Sequence, residues 1–440
     1  MDIMEFVDRL YCAAEKSNIE EFQIKFLSQK DSGLTMFEQK IETSDNSEAQ
    51  RIRFSIRDKG KIGSFVYEGA WDENVIPMMI KEARENVLLI SDEDDSFFYD
   101  GKGEYNNDIQ PYTPIWKELK YLDKIEFLKN VEKSAYNKSP LVNKVIKVGY
   151  FEFKSKLVIR NSLGLNVCKD IVSVGAHLKL SVKQNDEVKD AYESVDFSLA
   201  EHFNPQYLAD KTVNTAIEKL NGESFKTGEY KVVLKNEAMR RLLAIIADLF
   251  FAQSVIDKVT KFGDKVGQKI AFEGVTIVEN PFMKGGHSTA SFDGEGYPTS
   301  YKEIVKNGIL QSLLYDLKTA NKFNTSSTGN GGYLGNLYIQ NGVTCFDDLL
   351  ACVGNGILIE QVSGLNVGID KVSGDFSVVG SGKKIENGKI VCPLTPFTVS
   401  GNLYQLLQNI TEVGNDLDFC YSSIGTPSVV VETGIMLANK

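Results

Sequence analysis

Histidine is scarce in this 440-residue chain, which has only His177, His202 and His287. The six cysteines form no Cys-x-x-Cys pair, which argues against a zinc knuckle and a disulfide framework. We therefore expect buried free thiols and a reducing, cytoplasmic environment. The cysteines are Cys12, Cys168, Cys345, Cys352, Cys392 and Cys420.

Basic residues and long apolar runs are also in short supply. Lys and Arg number 49 against 60 Asp and Glu, a formal net charge of -11, which argues against direct nucleic-acid binding. The longest apolar run, 242–252, is interrupted by Asp248 and is far shorter than the ~20 residues that span a bilayer. The first 20 residues lack the basic start and apolar core of a signal peptide. We expect a soluble protein that does not enter a membrane.

The patterns that are present predict an α+β protein. A helical spacing at 76–87 ends in the acidic run 92–95, and long alternating segments at 142–198 indicate strands. We predict an N-terminal domain of a helix plus a meander at 1–105. A central α/β segment follows at 113–222, and a large, mostly β C-terminal domain at 226–440.

A helix predicted near Asn236 carries Glu237 but no histidine, in the order Asn-Glu-Ala-Met-Arg-Arg. Zinc in a hydrolase needs neutral or anionic side chains and one position open for water, whereas the guanidinium of Arg241 is always protonated and repels the cation. An apolar stripe would bury the other side of the helix. Glu237 and Arg241, four residues apart, should then form a surface ion pair of ~0.3 kcal/mol.

Short motifs in the C-terminal half carry a family resemblance. They are, in order, Phe292-Asp293-Gly294-Glu295-Gly296, Asp316 with Ala320, Ser327-Thr328-Gly329-Asn330, Ser373-Gly374-Asp375-Phe376-Ser377, Ile385-Glu386-Asn387-Gly388, Gly401-Asn402-Leu403, Gly414-Asn415-Asp416 and Thr426-Pro427-Ser428. Together they resemble the TldD/PmbA family, the so-called modulators of DNA gyrase. The catalytic branch of that family has His-Glu-x-x-x-His at the place of residues 236–241.

The resemblance implies a function as well as a fold. In the family a zinc-bearing, TldD-like subunit pairs with a PmbA-like (TldE) subunit to act as a cytosolic peptidase on extended peptides. This chain resembles the PmbA type, so we expect no metal or other cofactor of its own and zinc only in the partner. Homodimers of the isolated chain are also compatible with the resemblance.

Two loops supply candidates for a peptide groove or an interface. They hold Asp293, Glu295 and Gly296 in the first loop and Thr328, Gly329 and Asn330 in the second. Glycines beside carboxylates let another backbone come close, although a plain charged turn explains the first loop equally well. The glycine-rich stretch 329–335 suggests a further hypothesis, in which an extended peptide binds by strand addition.

Other readings of the sequence stay open. Cys420 lies where the resemblance places a further metal ligand, but Tyr421 and Ser422 replace the Gly-Lys that would follow it, and a lone thiol is typical of simple packing. Ser288 matches a nucleophile elbow only superficially, because glycines replace the required helix. The alternatives are a self-contained hydrolase, using Ser288 or a rebuilt metal site at Glu237 and Cys420, and a homodimeric binding protein without proteolytic role.

Overall fold

The computed structural model describes residues 2–90, 96–114 and 119–439, so the acidic run 92–95 lies outside the described residues. The helices are α1 (Ile3–Lys16), α2 (Ile76–Leu89), α3 (Tyr121–Lys138), α4 (Pro205–Ile217), α5 (Asn236–Leu249), α6 (Ala252–Ile256), α7 (Leu317–Lys322), α8 (Phe346–Val353) and α9 (Leu403–Asn409).

Strands make up the larger share of the regular structure. They are β1 (Glu21–Phe37), β2 (Lys40–Asp58), β3 (Lys61–Tyr67), β4 (Val142–Asn161), β5 (Asn166–Gln184), β6 (Glu187–Asp196), β7 (Gly228–Glu229), β8 (Val232–Leu234), β9 (Ile277–Asn280), β10 (Lys302–Lys306), β11 (Ile309–Leu310), β12 (Asn336–Ile339), β13 (Gly356–Ser363), β14 (Asp375–Glu386), β15 (Lys389–Pro393), β16 (Phe397–Asn402), β17 (Ile410–Val413), β18 (Ile424–Gly425), β19 (Val429–Val431) and β20 (Met436–Asn439). The predicted α+β class is confirmed.

The first six strands form one antiparallel sheet in the order β3-β2-β1-β4-β5-β6. Because side chains alternate along a strand, β1 turns Phe22, Ile24 and Phe26 toward one face and Gln23 and Lys25 toward the other. Helices α1 and α2 cover the first face at one end of the sheet, and α3 and α4 cover it at the other end.

The opposite face of this sheet receives a loop from the C-terminal half. Leu157 and Ile159 of β4 pack with Leu165 against Phe292. The Tyr105 hydroxyl donates to the Gly296 carbonyl at 2.8 Å, so the segment before α3 also touches this loop. The N-terminal sheet and the C-terminal half therefore share a packed contact.

The C-terminal half contains a second and a third sheet. The larger follows the order β17-β19-β8-β13-β14-β16-β20-β7, with β15 paired to β14, and the smaller follows β11-β10-β9-β12-β18. Buried side chains of both sheets and of α5 form one core, which includes Leu234, Leu242, Ile246, Ile277 and Leu337. Helix α5 is thus held with its apolar stripe inward.

The cysteines are free, as expected, but the prediction that they are buried is wrong. The inward positions are taken by other apolar residues, as Leu10 and Ala14 take the buried face of α1 and leave Cys12 on its outer side. Cys12, Cys168, Cys345 and Cys352 are exposed, and Cys392 and Cys420 are partly buried. Among the described residues, no helix combines the length and apolar character needed to span a bilayer.

Candidate functional site

Helix α5 presents the residues of the altered metal motif in its first turn. The loop at 416–426 wraps this end of the helix. Asn236 Nδ2 donates to the Asp416 carbonyl at 3.4 Å, and Thr426 Oγ1 donates to the Asn236 carbonyl at 2.9 Å. Glu237 follows in the first turn, where the helix dipole stabilises a negatively charged side chain. The amide of Asn236 is therefore used to join the helix to the loop.

Both oxygens of Glu237 are bound by guanidinium groups. Arg240 donates through Nε and Nη2 at 2.9 Å each, and Arg241 donates through Nε at 2.7 Å. Burial opposes ionisation of Glu237, but the two arginines outweigh it and hold its pKa below the ordinary value. The predicted pair with Arg241 is present. The prediction of a simple surface pair is wrong, because Arg240 also binds and the Glu237 side chain is only 20% exposed.

A cavity of about 470 Å³ lies beside this turn. Glu237 and Arg241 line it from α5, Lys211 lines it from α4, and Cys420 and Tyr421 line it from the 416–426 loop. The structure thus brings Cys420 and Glu237 to one cavity, as the alternative of a metal site rebuilt from these two residues requires. Burial is the main cause that raises the pKa of the Cys420 thiol to about 12, with Asp418 and Glu237 adding to it. The thiol is therefore protonated at neutral pH.

These residues do not fit a zinc ion. Asn236 offers an amide, Arg241 a permanent cation and Cys420 a neutral thiol, and the carboxylate of Glu237 is already bound twice. Zinc requires anionic or neutral strong donors, most often thiolate, imidazole or carboxylate. Across 2–90, 96–114 and 119–439, no group of three or more His, Cys, Asp or Glu is arranged to hold a metal ion.

Asp293 joins the two loops that supply the groove candidates. Its side chain is fully buried. One oxygen accepts the backbone N–H groups of Glu295 and Tyr297 at 2.8 and 3.0 Å, and the other accepts that of Gly331 at 2.7 Å. Burial nevertheless raises the pKa of Asp293. The carboxylate organises the loops from inside, and it does not lie on an open surface.

Glu295, by contrast, lines a second cavity, of about 520 Å³. One carboxylate oxygen accepts the backbone N–H of Leu317, the first residue of α7, at 2.9 Å. Burial, helped by Asp293, raises the pKa of Glu295 to about 7. The neighbouring Gly296 has φ of 85°, and a Cβ there would lie 2.6 Å from the Leu165 side chain. Of Asp293, Glu295 and Gly296, Glu295 is therefore the one that reaches this cavity.

The second loop is held by its own polar side chains. Thr328 Oγ1 donates to Asn330 Oδ1 at 2.7 Å, and Asn330 Nδ2 donates to both oxygens of the buried Glu279 at 2.9 and 3.1 Å. Glu279 also pairs with Lys302 at 2.8 Å. Gly329 has φ of 74°. The role of this loop in a peptide groove or an interface stays a prediction.

The strand-addition hypothesis for 329–335 does not fit these bonds. The N–H of Gly331 donates to Asp293, and that of Gly335 donates to Glu279 at 2.6 Å. The N–H of Gly329 donates to the Ser327 hydroxyl at 3.2 Å. An added strand needs free backbone groups, and these three are already used inside the protein.

Ser288 lies in a turn without a following helix, so it forms no nucleophile elbow. Its hydroxyl donates to the Leu334 carbonyl and its N–H donates to Asn336 Oδ1 at 3.0 Å. The adjacent His287 points to a different residue, Asp196. The side chain of Ser288 is therefore engaged in joining the two loops.

Sequence reasoning missed the buried carboxylate of Asp196, which two of the three histidines contact. His287 Nε2 lies 2.8 Å from Asp196 Oδ2, and His202 Nδ1 lies 3.4 Å from Asp196 Oδ1 and 3.0 Å from its carbonyl. Burial opposes ionisation of Asp196, but His287 and Ser198 lower its pKa to about 2. The scarcity of histidine was the only signal in the sequence, and it does not identify the partner.

Comparison with known proteins agrees with this architecture. The model described as PmbA/TldA metallopeptidase central domain matches residues 114–220, and the one described as PmbA/TldA metallopeptidase C-terminal domain matches residues 227–436. A metalloprotease PmbA homolog from Buchnera aphidicola subsp. Acyrthosiphon pisum is 32% identical over 227 residues, 51% of this chain and 50% of that protein. The chain spans about half the length of the curated relatives it matches first.

Solved structures match over nearly the whole chain. A protein from Thermotoga maritima MSB8, described as a modulator of a DNA gyrase, superposes with a TM-score of 0.90 at 28% identity, covering 99% of this chain and 100% of that one. TldE from Thermococcus kodakarensis shares the fold, with a TM-score of 0.84 at 20% identity and coverage of 99% and 100%. From the matched domains and the common fold, the chain belongs to the PmbA/TldD family of metalloprotease-like proteins.

Proposed function

We propose that this chain is a non-catalytic, PmbA/TldE-like subunit of a TldD/TldE-type cytosolic metallopeptidase complex that processes or degrades unfolded peptides. Zinc would reside in the TldD-like partner, where an intact motif would hold it. This chain would complete the enclosure around an extended peptide. Membership of a metalloprotease-like family supports the substrate class.

The state of Glu237 carries the non-catalytic part of the proposal. A glutamate at this position serves as a general base when it faces a metal-bound water. Here both of its oxygens accept N–H groups of Arg240 and Arg241, and the described part of the chain holds no group of three or more His, Cys, Asp or Glu placed to bind a metal ion. A carboxylate bound in this way is a structural partner of the two arginines.

The test is reconstitution. Three samples are prepared: this chain alone, a TldD-like protein alone, and a mixture of the two. Each sample is assayed for zinc and for hydrolysis of an unfolded peptide. We expect co-purification, about one zinc per pair located in the partner, and turnover by the mixture only. Ser288→Ala in this chain should leave the activity of the mixture unchanged, whereas replacing the metal-motif glutamate of the partner should abolish it.

Two results would refute the proposal. Turnover by this chain alone, lost in Ser288→Ala or Glu237→Gln, would favour a self-contained hydrolase. A stable symmetric homodimer that does not associate with any TldD-like protein would favour a homodimeric binding protein without proteolytic role. A homodimer that dissociates to join such a partner agrees with the proposal.

A further inference from the structure

A basic cavity lies on the N-terminal sheet, away from the altered metal motif. Its wall is the sheet face opposite α1 and α2, where Lys25 of β1 pairs across the strands with Arg53 of β2, and Arg51 lies one step further along the same face. The loop with Glu295 covers part of it from the C-terminal half. The cavity, of about 520 Å³, thus brings together three cations and one carboxylate.

The cations are poorly compensated. In the described parts of the chain, neither Arg51 nor Arg53 forms an ion pair or a side-chain hydrogen bond. The Lys25 ammonium donates to the Gly294 carbonyl at 2.8 Å and has no ion pair there either. Glu295, the carboxylate of the lining, accepts from the Leu317 N–H. An excess of positive charge in a chain of net charge -11 marks this cavity as a place for an anion.

We propose that this cavity binds an extended, acidic segment of polypeptide. Arg51 and Arg53 are two residues apart on one strand, so their side chains leave the sheet about 7 Å apart. Carboxylates at alternate positions of an extended peptide have the same spacing, and guanidinium groups bind carboxylates in paired hydrogen bonds. The apolar side chains of Leu27, which pairs with Arg51, and Val66, which pairs with Arg53, suit the aliphatic part of such a ligand.

This inference rests on the proposed function only in taking a polypeptide as the ligand. Charge density alone would also suit a polyphosphate or a nucleic acid. The apolar part of the lining favours the peptide, because a phosphate chain has no aliphatic groups to place against it. The binding experiment uses the full chain by itself, so its result does not depend on a TldD-like partner or on hydrolysis.

The experiment measures fluorescence anisotropy of a short labelled peptide of alternating Glu and Thr, beside the same peptide with Gln for Glu. We expect the Glu peptide to bind at least about tenfold more tightly. Arg51→Gln with Arg53→Gln should abolish the preference, and Arg51→Lys with Arg53→Lys should restore part of it. Lys129→Gln with Lys133→Gln, which removes two charges from the exposed side of α3, should preserve it.

A pH series gives a second readout. Because the pKa of Glu295 is raised to about 7, its carboxyl is mostly neutral at pH 6 and charged at pH 8, where it repels an acidic peptide. Affinity should therefore fall between these values, and Glu295→Gln should flatten the change. Lys25, Asp293 and Asp316 also face Glu295, and they are present in both proteins, so the comparison isolates its charge.

Three outcomes would overturn the inference. The first is that the Arg51→Gln, Arg53→Gln double variant binds the Glu peptide as tightly as the unmodified chain does. Thermal melting confirms that both proteins are folded in this comparison. The second is equal binding of the Glu and Gln peptides. The third is displacement of the Glu peptide by inorganic phosphate or a DNA oligonucleotide at a lower concentration than by unlabelled peptide, which would assign the cavity to phosphate groups.

Discussion

At the scale of single residues, the neighbours of a carboxylate decide what it does. Glu237 lies between two guanidiniums and has a lowered pKa, whereas Glu295 lies in a desolvated loop and has a pKa raised to about 7. The same functional group is therefore a fixed anion in one place and a titratable group in the other. Opposite charges nearby favour ionisation, and burial opposes it.

Glu237→Gln tests the anchoring of the two arginines. Arg240, only 16% exposed, would lose its charged partner, so we expect a loss of about 1–3 kcal/mol in the free energy of unfolding. A lowered pKa means that the stabilisation is present above the ordinary value of 4.5 and is lost as the pH falls. Urea unfolding at pH 7 and pH 3 should show the difference at pH 7 and a smaller one at pH 3. An unchanged midpoint at pH 7 would contradict the prediction.

Glu295→Gln should change the pH dependence of stability in the opposite sense. The pKa is raised from 4.5 to about 7, so the unmodified chain loses stability as the pH rises through that window. Gln keeps an oxygen for the Leu317 N–H and does not ionise. Relative to the unmodified chain, the variant should gain on the order of 1 kcal/mol between pH 5 and pH 8. The same difference in the free energy of unfolding between the variant and the unmodified chain at pH 5 and at pH 8 would refute this.

The sequence identified some of these residues and missed others for a physical reason. Glu237 and Arg241 are four residues apart on a helix, so their contact follows from helix geometry. The family resemblance suggested that Cys420 lies near Glu237, but nothing in the sequence indicated that Asp196 meets His287. Contacts between distant segments are set by the packing of the sheets, which no local pattern encodes.

At the scale of elements, two loops of the C-terminal half interlock. Gly294 N–H donates to the Gly331 carbonyl at 2.7 Å, and Gly331 N–H donates to Asp293. Where the backbone of another segment lies this close, only glycine fits, because it has no Cβ. A Cβ on Gly329, which has φ of 74°, would lie 2.5 Å from the Pro298 carbonyl oxygen. Each loop therefore holds the other in place.

Gly329→Ala measures the cost of filling that contact, with Gly285→Ala as a matched control. Both glycines have positive φ, 74° and 70°, so each variant bears a strain of ~1–2 kcal/mol. Only Gly329 has atoms within 4 Å of the added Cβ, so we expect a further loss of ~1–3 kcal/mol there. Thermal unfolding measures both. Equal losses of stability in the two variants would contradict the prediction, because they would show that the loop can move away from the added Cβ at no energetic cost.

Most of the elements in the first half were predictable. The strands β4, β5 and β6 alternate over long stretches with polar turns between them, and the helical spacing of 76–87 matches the buried face of α2. The division into 1–105, 113–222 and 226–440 stays a prediction. β1 and β4, which lie on either side of its first boundary, pair in one sheet. Strand pairing across so many residues has no signature in the sequence.

At the scale of the whole molecule, Asp196 ties the central region to the C-terminal half. It ends β6, His202 follows it closely, and His287 reaches it from the loop before β10. The His287 ring also stacks on Tyr112 with ring centres 4.5 Å apart. This junction lies beside the loop of Cys420 and Tyr421, so it helps to position one wall of the first cavity.

Asp196→Asn should weaken this junction. Loss of the charged partner of His287 at a site only 4% exposed should cost about 1–3 kcal/mol at pH 7, as measured by urea unfolding. The pKa of Asp196 is lowered from 3.8 to about 2, so its contribution is present above 3.8 and is lost as the pH falls through about 2. Asp186→Asn, in the exposed turn between β5 and β6, should change nothing. Equal effects of the two substitutions would contradict the assignment.

The sequence by itself determined the α+β class, the periodic helices and strands, the family and the loss of the histidines from 236–241, because each depends on residue types or on spacings within one element. Only the tertiary structure decided that Asp196 binds two histidines and that Lys25, Arg51 and Arg53 share a cavity with Glu295. Those contacts join segments far apart in the chain. Their positions follow from how the sheets pack and from the charges and burial that the packing creates.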